Sequence, residues 1–153
     1  MIEIPEEERL RIFNQSFVCG AIFLYEKYEF DDGSKKSKFL LVLNPQDQDG
    51  ICHFYLTTSR VTKIMSNPIL KESCYLIPAG EVDCFPKDTV INIRDVKPMQ
   101  STLIQQKYIK HFKGESLIYK QKMPDNIMSD IRDLVLQSRD LTPQQKIRIF
   151  PSP

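Results

Sequence analysis

Two adjacent segments with strand character constrain the fold of this chain more than any other feature. The first, Phe39–Leu43, is almost wholly apolar, which is typical of a strand buried on both faces. The second, Ile51–Thr58, alternates in polarity, so that His53 and Thr57 share one face. Proline and glycine turn signals occupy residues 44–50 between them. The pattern predicts two neighbouring strands of one small sheet.

Three further segments have strand composition and are bounded by turn residues. They are Ala21–Tyr28, Ser73–Pro78 and Thr89–Ile93. Several short strands separated by turns are typical of small barrels, so we expect a barrel-like β core. A polar excursion is predicted for residues 59–72. The chain has 153 residues and ordinary globular composition, and one domain covering residues 1–153 is therefore expected.

Helical signals flank this predicted core. In residues 5–14, proline and acidic residues precede basic ones, which predicts a short helix within an amino-terminal extension, residues 1–18. We expect this extension to be an appendage of the main fold. A weaker helical pattern covers residues 101–112 and stops at Gly114.

The strongest helical pattern begins at Pro124. Four apolar residues fall on one face of it: Ile127, Ile131, Leu134 and Val135. The pattern predicts an amphipathic helix packed on the sheet, followed by an irregular tail over residues 142–153. The predicted fold class is α+β, mainly β, with the barrel and this helix spanning residues 19–141.

Charge and apolar run length restrict the classes of partner. The net charge is +1, so any site for a polyanion must depend on local clusters of cations. No apolar run approaches the roughly 20 residues that span a bilayer, and the amino terminus is acidic where a signal peptide would be basic. We therefore expect a cytoplasmic protein with no membrane partner.

The cysteine spacing argues against a metal site. The chain has four cysteines, with no close pair and no histidines at zinc-ligand spacing. Reduced and mostly buried thiols are expected, and no metal or cofactor is predicted.

Cations precede the apolar strand, and a cluster of hydroxyl groups lies at the end of the second strand. The cations are Lys35, Lys36 and Lys38, and the second group is Thr57, Thr58 and Ser59, followed by Arg60. Because adjacent strands lie about 4.8 Å apart, Lys38 and Thr57 could contact one phosphate. Three residues qualify for proton transfer: Asp31, Asp32 and His53.

The same residues also fit an ordinary sheet without chemistry. A lysine-rich hairpin is often a solvated face or a guard against edge pairing. Hydroxyl residues at a strand end often bond to the nearby backbone. Phe85-Pro86-Lys87-Asp88 is interpreted as a turn in which Asp88 braces the backbone.

Read in order, five segments resemble the PemK/MazF-like toxin family. Residues 19–24 resemble the family's opening strand, and residues 39–44 resemble its Arg-Pro-hydrophobic-Val-Leu-Ser strand. Residues 56–59 resemble a strand that ends in Thr-Thr, and residues 85–93 resemble its Leu-Pro-Lys-Asp-Ser-Val segment. The helix over residues 128–141 resembles the closing helix of the family.

The resemblance implies an SH3-like barrel that cuts single-stranded RNA without a metal, forms a homodimer and is inhibited by an antitoxin protein. It aligns Thr57 with the family's catalytic threonine and Lys38 with its catalytic arginine. Lysine keeps the charge of arginine but lacks the planar fork that binds two phosphate oxygens. RNA contacts are expected from Lys35, Lys36, Thr58, Ser59 and Arg60. The alternative is a non-catalytic SH3-like barrel that binds protein or nucleic acid.

Overall fold

The computed structural model describes residues 4–110 and 116–151. Within these ranges it contains seven strands and six helices. The strands are β1 Ala21–Glu29, β2 Lys35–Asn44, β3 Ile51–Leu56, β4 Cys74–Ile77, β5 Thr89–Asn92, β6 Lys97–Gln100 and β7 Ser116–Lys122. The helices are α1 Glu6–Ser16, α2 Val61–Met65, α3 Pro68–Glu72, α4 Ser101–Lys110, α5 Asp125–Gln137 and α6 Pro143–Ile149.

The strands form two antiparallel sheets that meet at the end of β3. One sheet has the order β6-β3-β2-β1-β7, and the other pairs β4 with β5. Beyond β3, Thr58 pairs with Val90 of β5 through two backbone hydrogen bonds of 3.0 and 2.8 Å. The predicted α+β class is therefore confirmed, while closure into an SH3-like barrel stays a prediction.

Strand β2 lies at the centre of the larger sheet and is buried on both faces, as predicted. Leu41 and Leu43 belong to a core cluster that includes residues of β5 and α5. Leu40 and Val42 point into a second cluster on the other face, together with Phe13 of α1. Alternate residues of one strand thus anchor both halves of the core.

Helix α5 confirms the predicted amphipathic helix packed on the sheet. Ile127, Ile131 and Val135 are buried in the first core cluster. Leu134, which was predicted on the same face, is instead 38% exposed. It lies at the margin of the apolar stripe, where the helix surface turns away from the sheet.

Helix α1 forms as predicted but is not an appendage. Its Phe13 is buried and stacks on Phe17 with the ring centroids 4.6 Å apart. Arg9 also donates a hydrogen bond of 3.1 Å to the carbonyl oxygen of Tyr108 in α4. The amino-terminal segment is therefore part of the second core cluster.

Several predicted boundaries change in the structure. Strand β2 begins at Lys35, so the predicted cations lie on the strand itself. The predicted polar excursion contains α2 and α3, and the predicted stop at Gly114 lies outside the described residues. Strands β6 and β7 had no sequence prediction. Among the described residues, no helix combines the length and apolar character needed to cross a bilayer.

The prediction of an irregular carboxy-terminal tail is wrong. Residues Pro143–Ile149 form α6, and the following Phe150 packs in the first core cluster with Ile149. Thr142 accepts a hydrogen bond from the Gln145 amide, and the Gln145 side chain accepts one from the Thr142 amide. This capping box, with proline at the first helical position, was a readable signal for the helix.

Replacing Thr142 with alanine is expected to reduce the free energy of unfolding by about 1 kcal/mol, since it removes one acceptor of the capping box. Urea denaturation would measure the change. Gln144→Ala is the matched control, because Gln144 is exposed within the same helix and should change stability by less than about 0.5 kcal/mol. Equal stability of Thr142→Ala and wild type would contradict a stabilising role for the cap.

Candidate functional site

The β1–β2 hairpin positions the predicted cations. Lys38 pairs with Tyr25 of β1 and Lys36 pairs with Tyr28, so the two lysines lie on the same face of β2. A β-bulge interrupts β1 between these pairs, and Lys27 within it has a positive φ of 57°. Bulges increase the local twist of a strand.

Lys38 lies between two pockets. The first, which we name the hydroxyl pocket, has a volume of about 210 Å³. Its lining consists of Ser37, Lys38, Phe39, Thr57, Ser59, Phe85, Pro86, Lys87 and Thr89. The second, the basic pocket, has a volume of about 290 Å³. It is lined by Phe30, Asp32, Ser34, Lys36, Lys38, Thr58 and Arg60. The two pockets share Lys38, and we refer to them together as the groove.

The groove carries an excess of positive charge. Three cations and one carboxylate line the basic pocket. Partial burial lowers the pKa of Lys38, and the nearby charges of Arg60 and Lys36 lower it further. Within the part of the chain that the structure describes, none of these three cations forms an ion pair. An anionic ligand would relieve their mutual repulsion.

Thr57 contributes a hydroxyl group to the floor of the hydroxyl pocket. Its amide donates a 3.0 Å hydrogen bond to the Phe39 carbonyl oxygen, which fixes it beside the start of the apolar part of β2. Thr57 is only 4% exposed, yet its hydroxyl has no hydrogen-bond partner among the described residues. Among the described residues, every side-chain nitrogen or oxygen atom that is fully enclosed has a hydrogen-bond partner. The Thr57 hydroxyl has none, so it is not fully enclosed and opens into the pocket.

The neighbouring hydroxyl residues differ in their engagement. The Thr58 hydroxyl accepts a 3.1 Å hydrogen bond from the Arg60 amide, the turn contact that the alternative interpretation predicts. Ser59 is exposed on the rim of the hydroxyl pocket. Of this group, Thr57 has the geometry best suited to meet a ligand.

Asp32 lines the basic pocket, but its carboxylate already has partners. It accepts hydrogen bonds from the Ser34 hydroxyl at 2.6 Å and from the Ser34 amide at 2.9 Å. These bonds lower the pKa of Asp32, so it stays ionised and is a weak base. Asp31 is exposed in the same turn and lines neither pocket.

The structure places His53 away from Lys38 and Thr57. His53 and Thr57 share a face, but four residues along an extended strand separate them by about 13 Å. His53 instead pairs with Asp47, with its Nε2 atom 2.8 Å from the carboxylate. His53 lines neither pocket, and its role as a candidate acid or base stays a prediction.

Asp47 is the centre of a separate polar cluster that connects the β2–β3 turn to α6. It accepts hydrogen bonds from the amides of Asp49 and Ile51, from His53 and from Arg148 at 3.3 Å. Burial opposes ionisation of this carboxyl. The hydrogen bonds from His53 and the two amides outweigh it and lower the pKa to about 2. Asp47 thus holds a local charge network together.

The predicted site is brought together in part. Lys38, Thr57 and Ser59 line the hydroxyl pocket, and Asp32, Lys36, Thr58 and Arg60 line the basic pocket. Lys35 pairs with Glu29 in the outer part of the hairpin and lines neither pocket. Sequence reasoning assigned no site role to the other lining residues of the hydroxyl pocket, Ser37, Phe39, Phe85, Pro86, Lys87 and Thr89. Residues 85–88 were predicted as a turn and Thr89–Ile93 as a strand, and in that turn Asp88 does accept a 2.8 Å hydrogen bond from the Ala79 amide.

Metal-ligating side chains do not cluster among the described residues: no group of three histidine, cysteine, aspartate or glutamate residues there could hold a metal ion. The four thiols are free, and their exposure varies more than predicted, since Cys52 is buried and Cys19 is exposed. Burial raises the pKa of the Cys52 thiol, which makes it an unreactive core residue.

The two pockets are suited to a phosphodiester strand, because unpaired cations line the basic pocket and a hydroxyl donor lines the hydroxyl pocket. Each pocket also has a partly buried aromatic ring, Phe30 in the basic pocket and Phe39 in the hydroxyl pocket. Comparison with protein-family models and with curated proteins finds no match to this chain.

Proposed function

We propose that the protein is an endoribonuclease that cleaves single-stranded RNA without a metal. The observation that supports this most is the position of Lys38, which lines both pockets and lies among the cations of the basic pocket. A phosphate bound at Lys38 in the basic pocket would have Lys36 and Arg60 as further cations around it. That arrangement suits a site where negative charge develops on phosphate oxygens.

In the proposed reaction, the RNA 2′-hydroxyl oxygen attacks the adjacent phosphorus, and the bond from phosphorus to the 5′ oxygen breaks. The products are a 2′,3′-cyclic phosphate and a 5′-hydroxyl. Lys38 would stabilise the phosphorane or donate the proton that the leaving 5′ oxygen takes up, while Thr57 would hydrogen-bond a non-bridging oxygen. The proton of the 2′-hydroxyl would pass to Asp32, the one predicted base that lines a pocket, or to water.

Flanking phosphates would bind along the basic pocket. Lys36 and Arg60 supply the charge there, and Phe30 offers a ring on which an unpaired base could stack. Lys35 lies farther out on the hairpin arm and would contact only a longer strand. The site would then hold RNA by its backbone and by stacking.

The proposal extends to partners. An antitoxin protein with an extended acidic segment would meet the same cations as RNA and would compete for the groove. We also propose a homodimer, as the family resemblance implies. A cytoplasmic location is proposed because the substrate is cellular RNA. Competition by a polyglutamate peptide for labelled RNA would be the first sign of such an inhibitor site.

The direct test incubates the purified protein with mixed-sequence RNA in EDTA. We expect discrete fragments with cyclic phosphate ends at the 3′ side and hydroxyl groups at the 5′ side of each cut. The same RNA with a 2′-deoxy nucleotide at a mapped cut should resist cleavage there. Intact RNA after incubation, or cleavage that persists at the deoxy position, would contradict the proposed reaction.

A second candidate function is a non-catalytic module that binds nucleic acid or protein. This candidate is favoured because the predicted proton-transfer groups are poorly placed for catalysis. Asp32 is hydrogen-bonded to Ser34 within its turn, and His53 pairs with Asp47. Binding of RNA without cleavage would support this candidate, whereas failure to bind RNA at any salt concentration would leave only a protein partner.

RNA affinity is expected to fall steeply as salt rises, under either candidate, because three cations line the basic pocket. Each phosphate contact with a single strand contributes about −0.7 to the slope of log affinity against log salt. Arg60→Ala should therefore make the slope less negative by about 0.7. Fluorescence anisotropy at several salt concentrations would measure it. An unchanged slope would remove Arg60 from the interface, and Lys71→Ala on α3 is the matched control outside both pockets.

A further inference from the structure

The hydroxyl pocket has the size of a site for one small planar group. Its volume of about 210 Å³ lies below the range of about 300–1,000 Å³ for drug-sized ligands. The floor is built from core residues, since Phe85 is buried in the first core cluster and Thr89 of β5 pairs with Ile77 of β4. The pocket is therefore a preformed part of the fold.

Its walls combine an apolar surface with polar groups. Phe39 packs edge-on against Phe85, with ring centroids 5.1 Å apart and an interplanar angle of 69°. Phe39 is only partly buried, which leaves part of its surface available to the pocket. Unstacked RNA bases are commonly recognised by such rings together with hydrogen bonds to the base edge.

The hydrogen-bonding groups on these walls are rich in donors. Lys38 and Lys87 are donors only, and the Thr57 hydroxyl has no partner among the described residues. The Thr89 hydroxyl donates a 3.0 Å hydrogen bond to the Lys87 carbonyl oxygen, which fixes the backbone from which the Lys87 side chain extends. A ligand edge that carries acceptors fits these donors better than an edge that carries amino groups.

Resting on the proposed RNA function, we infer that the hydroxyl pocket is a subsite for one unstacked nucleobase with ring carbonyl groups, uracil or guanine, next to the phosphate at Lys38. Uracil presents two carbonyl oxygens, and guanine presents O6 and N7. Adenine and cytosine place an amino group where these bases have a carbonyl, and an ammonium group such as that of Lys87 repels an amino donor. Lys87 is then the residue that determines specificity.

The test measures binding of fluorescein-labelled deoxy hexamers of uracil, cytosine, adenine and hypoxanthine, which stands for guanine. Deoxy strands cannot undergo 2′-hydroxyl attack, so the result does not depend on cleavage. We expect the uracil and hypoxanthine hexamers to bind about fivefold more tightly than the other two, the effect of one additional net hydrogen bond. Equal affinities for all four hexamers would overturn the subsite.

Two variants assign the preference to the pocket. Lys87→Met keeps an unbranched apolar side chain but removes the donor, and it should reduce the preference to less than about twofold. Lys63→Met removes an exposed cation of α2 outside both pockets and should leave the preference unchanged. Uniform weakening of all four hexamers by Lys87→Met would show that Lys87 holds a phosphate and would overturn the specificity role.

The subsite and the nuclease can fail separately. A carbonyl-base preference in a protein that leaves RNA intact would support the subsite and contradict the proposed cleavage. RNA cleavage together with equal hexamer affinities would support the nuclease and overturn the subsite. No binding of any hexamer at low salt would overturn the subsite, while cleavage of RNA would still decide the nuclease.

Discussion

Lys38→Ala is expected to lower RNA cleavage at least about 100-fold, the usual consequence of removing one donor that stabilises developing negative charge. The loss should appear mainly in kcat, because Lys36 and Arg60 still bind the flanking phosphates. Single-turnover cleavage of a labelled RNA at saturating protein would measure the chemical step. Lys71→Ala, on the exposed surface of α3, is the control for loss of one positive charge.

Lys38→Arg tests whether the positive charge at this position is sufficient or whether the titration of lysine sets the pH dependence. Partial burial and the neighbouring cations lower the pKa of Lys38, so its proton is lost as pH rises before that of an ordinary lysine. Cleavage by wild type should therefore decline at alkaline pH, and the arginine variant, which stays protonated, should lack that decline. Equal cleavage by Lys38→Ala and wild type, or the same alkaline limb in Lys38→Arg, would remove Lys38 from the mechanism.

Asp47→Ala is expected to reduce the free energy of unfolding by about 3 kcal/mol. The variant removes the acceptor for two backbone amides and leaves His53 and Arg148 without their shared carboxylate. Urea denaturation at neutral pH would measure the loss. Asp49→Asn is the matched control, because Asp49 pairs with the same Arg148 at 2.8 Å but is itself 55% exposed. That surface pair should contribute less than about 1 kcal/mol.

The contribution of Asp47 should also depend on pH. Its pKa is lowered in the folded state from 3.8 to about 2, so the folded protein holds the ionised form more strongly than the unfolded chain does. The resulting stabilisation, about 2 kcal/mol, is complete above about pH 4 and is lost as pH falls towards 2. The stability difference between wild type and Asp47→Ala should shrink over that interval. A constant difference would mean that the carboxylate charge does not stabilise the fold.

The parts of the fold that sequence could predict are those where one face is clearly apolar. Four consecutive buried apolar residues, Leu40–Leu43, mark β2, and the stripe of Ile127, Ile131 and Val135 marks α5. Strand β7 gives no such signal, because it lies at a sheet edge and its second half is Lys120-Gln121-Lys122. Strand β6 contains Pro98, a residue that argues against a strand unless it too lies at an edge.

The site shows a similar division. The approach of Lys38 and the hydroxyl cluster was predictable from the pairing of consecutive strands, whose register sets Thr57 opposite Phe39 and Thr58 opposite Lys38. Lys87 was not, since it reaches the pocket through the pairing of Thr58 with Val90, which joins segments distant in the chain. Alternation correctly assigned His53 to the face of Thr57 but carried no information on distance along the strand. Sequence patterns therefore do not predict which distant segments pair, or how far apart two residues lie along one strand.

The double-sided burial of β2 has a consequence for how the site can be observed. Its central amides are hydrogen-bonded within the sheet between two apolar layers, so they should exchange with solvent deuterium only when the whole domain unfolds. Lys38 lies two residues before Leu40, at the limit of this protected block, whereas Lys36 lies on the exposed arm. Ligand binding should therefore slow amide exchange only on the hairpin arm that carries Lys36. The protected amides of Leu40–Leu43 serve as an internal reference for the rate of global unfolding.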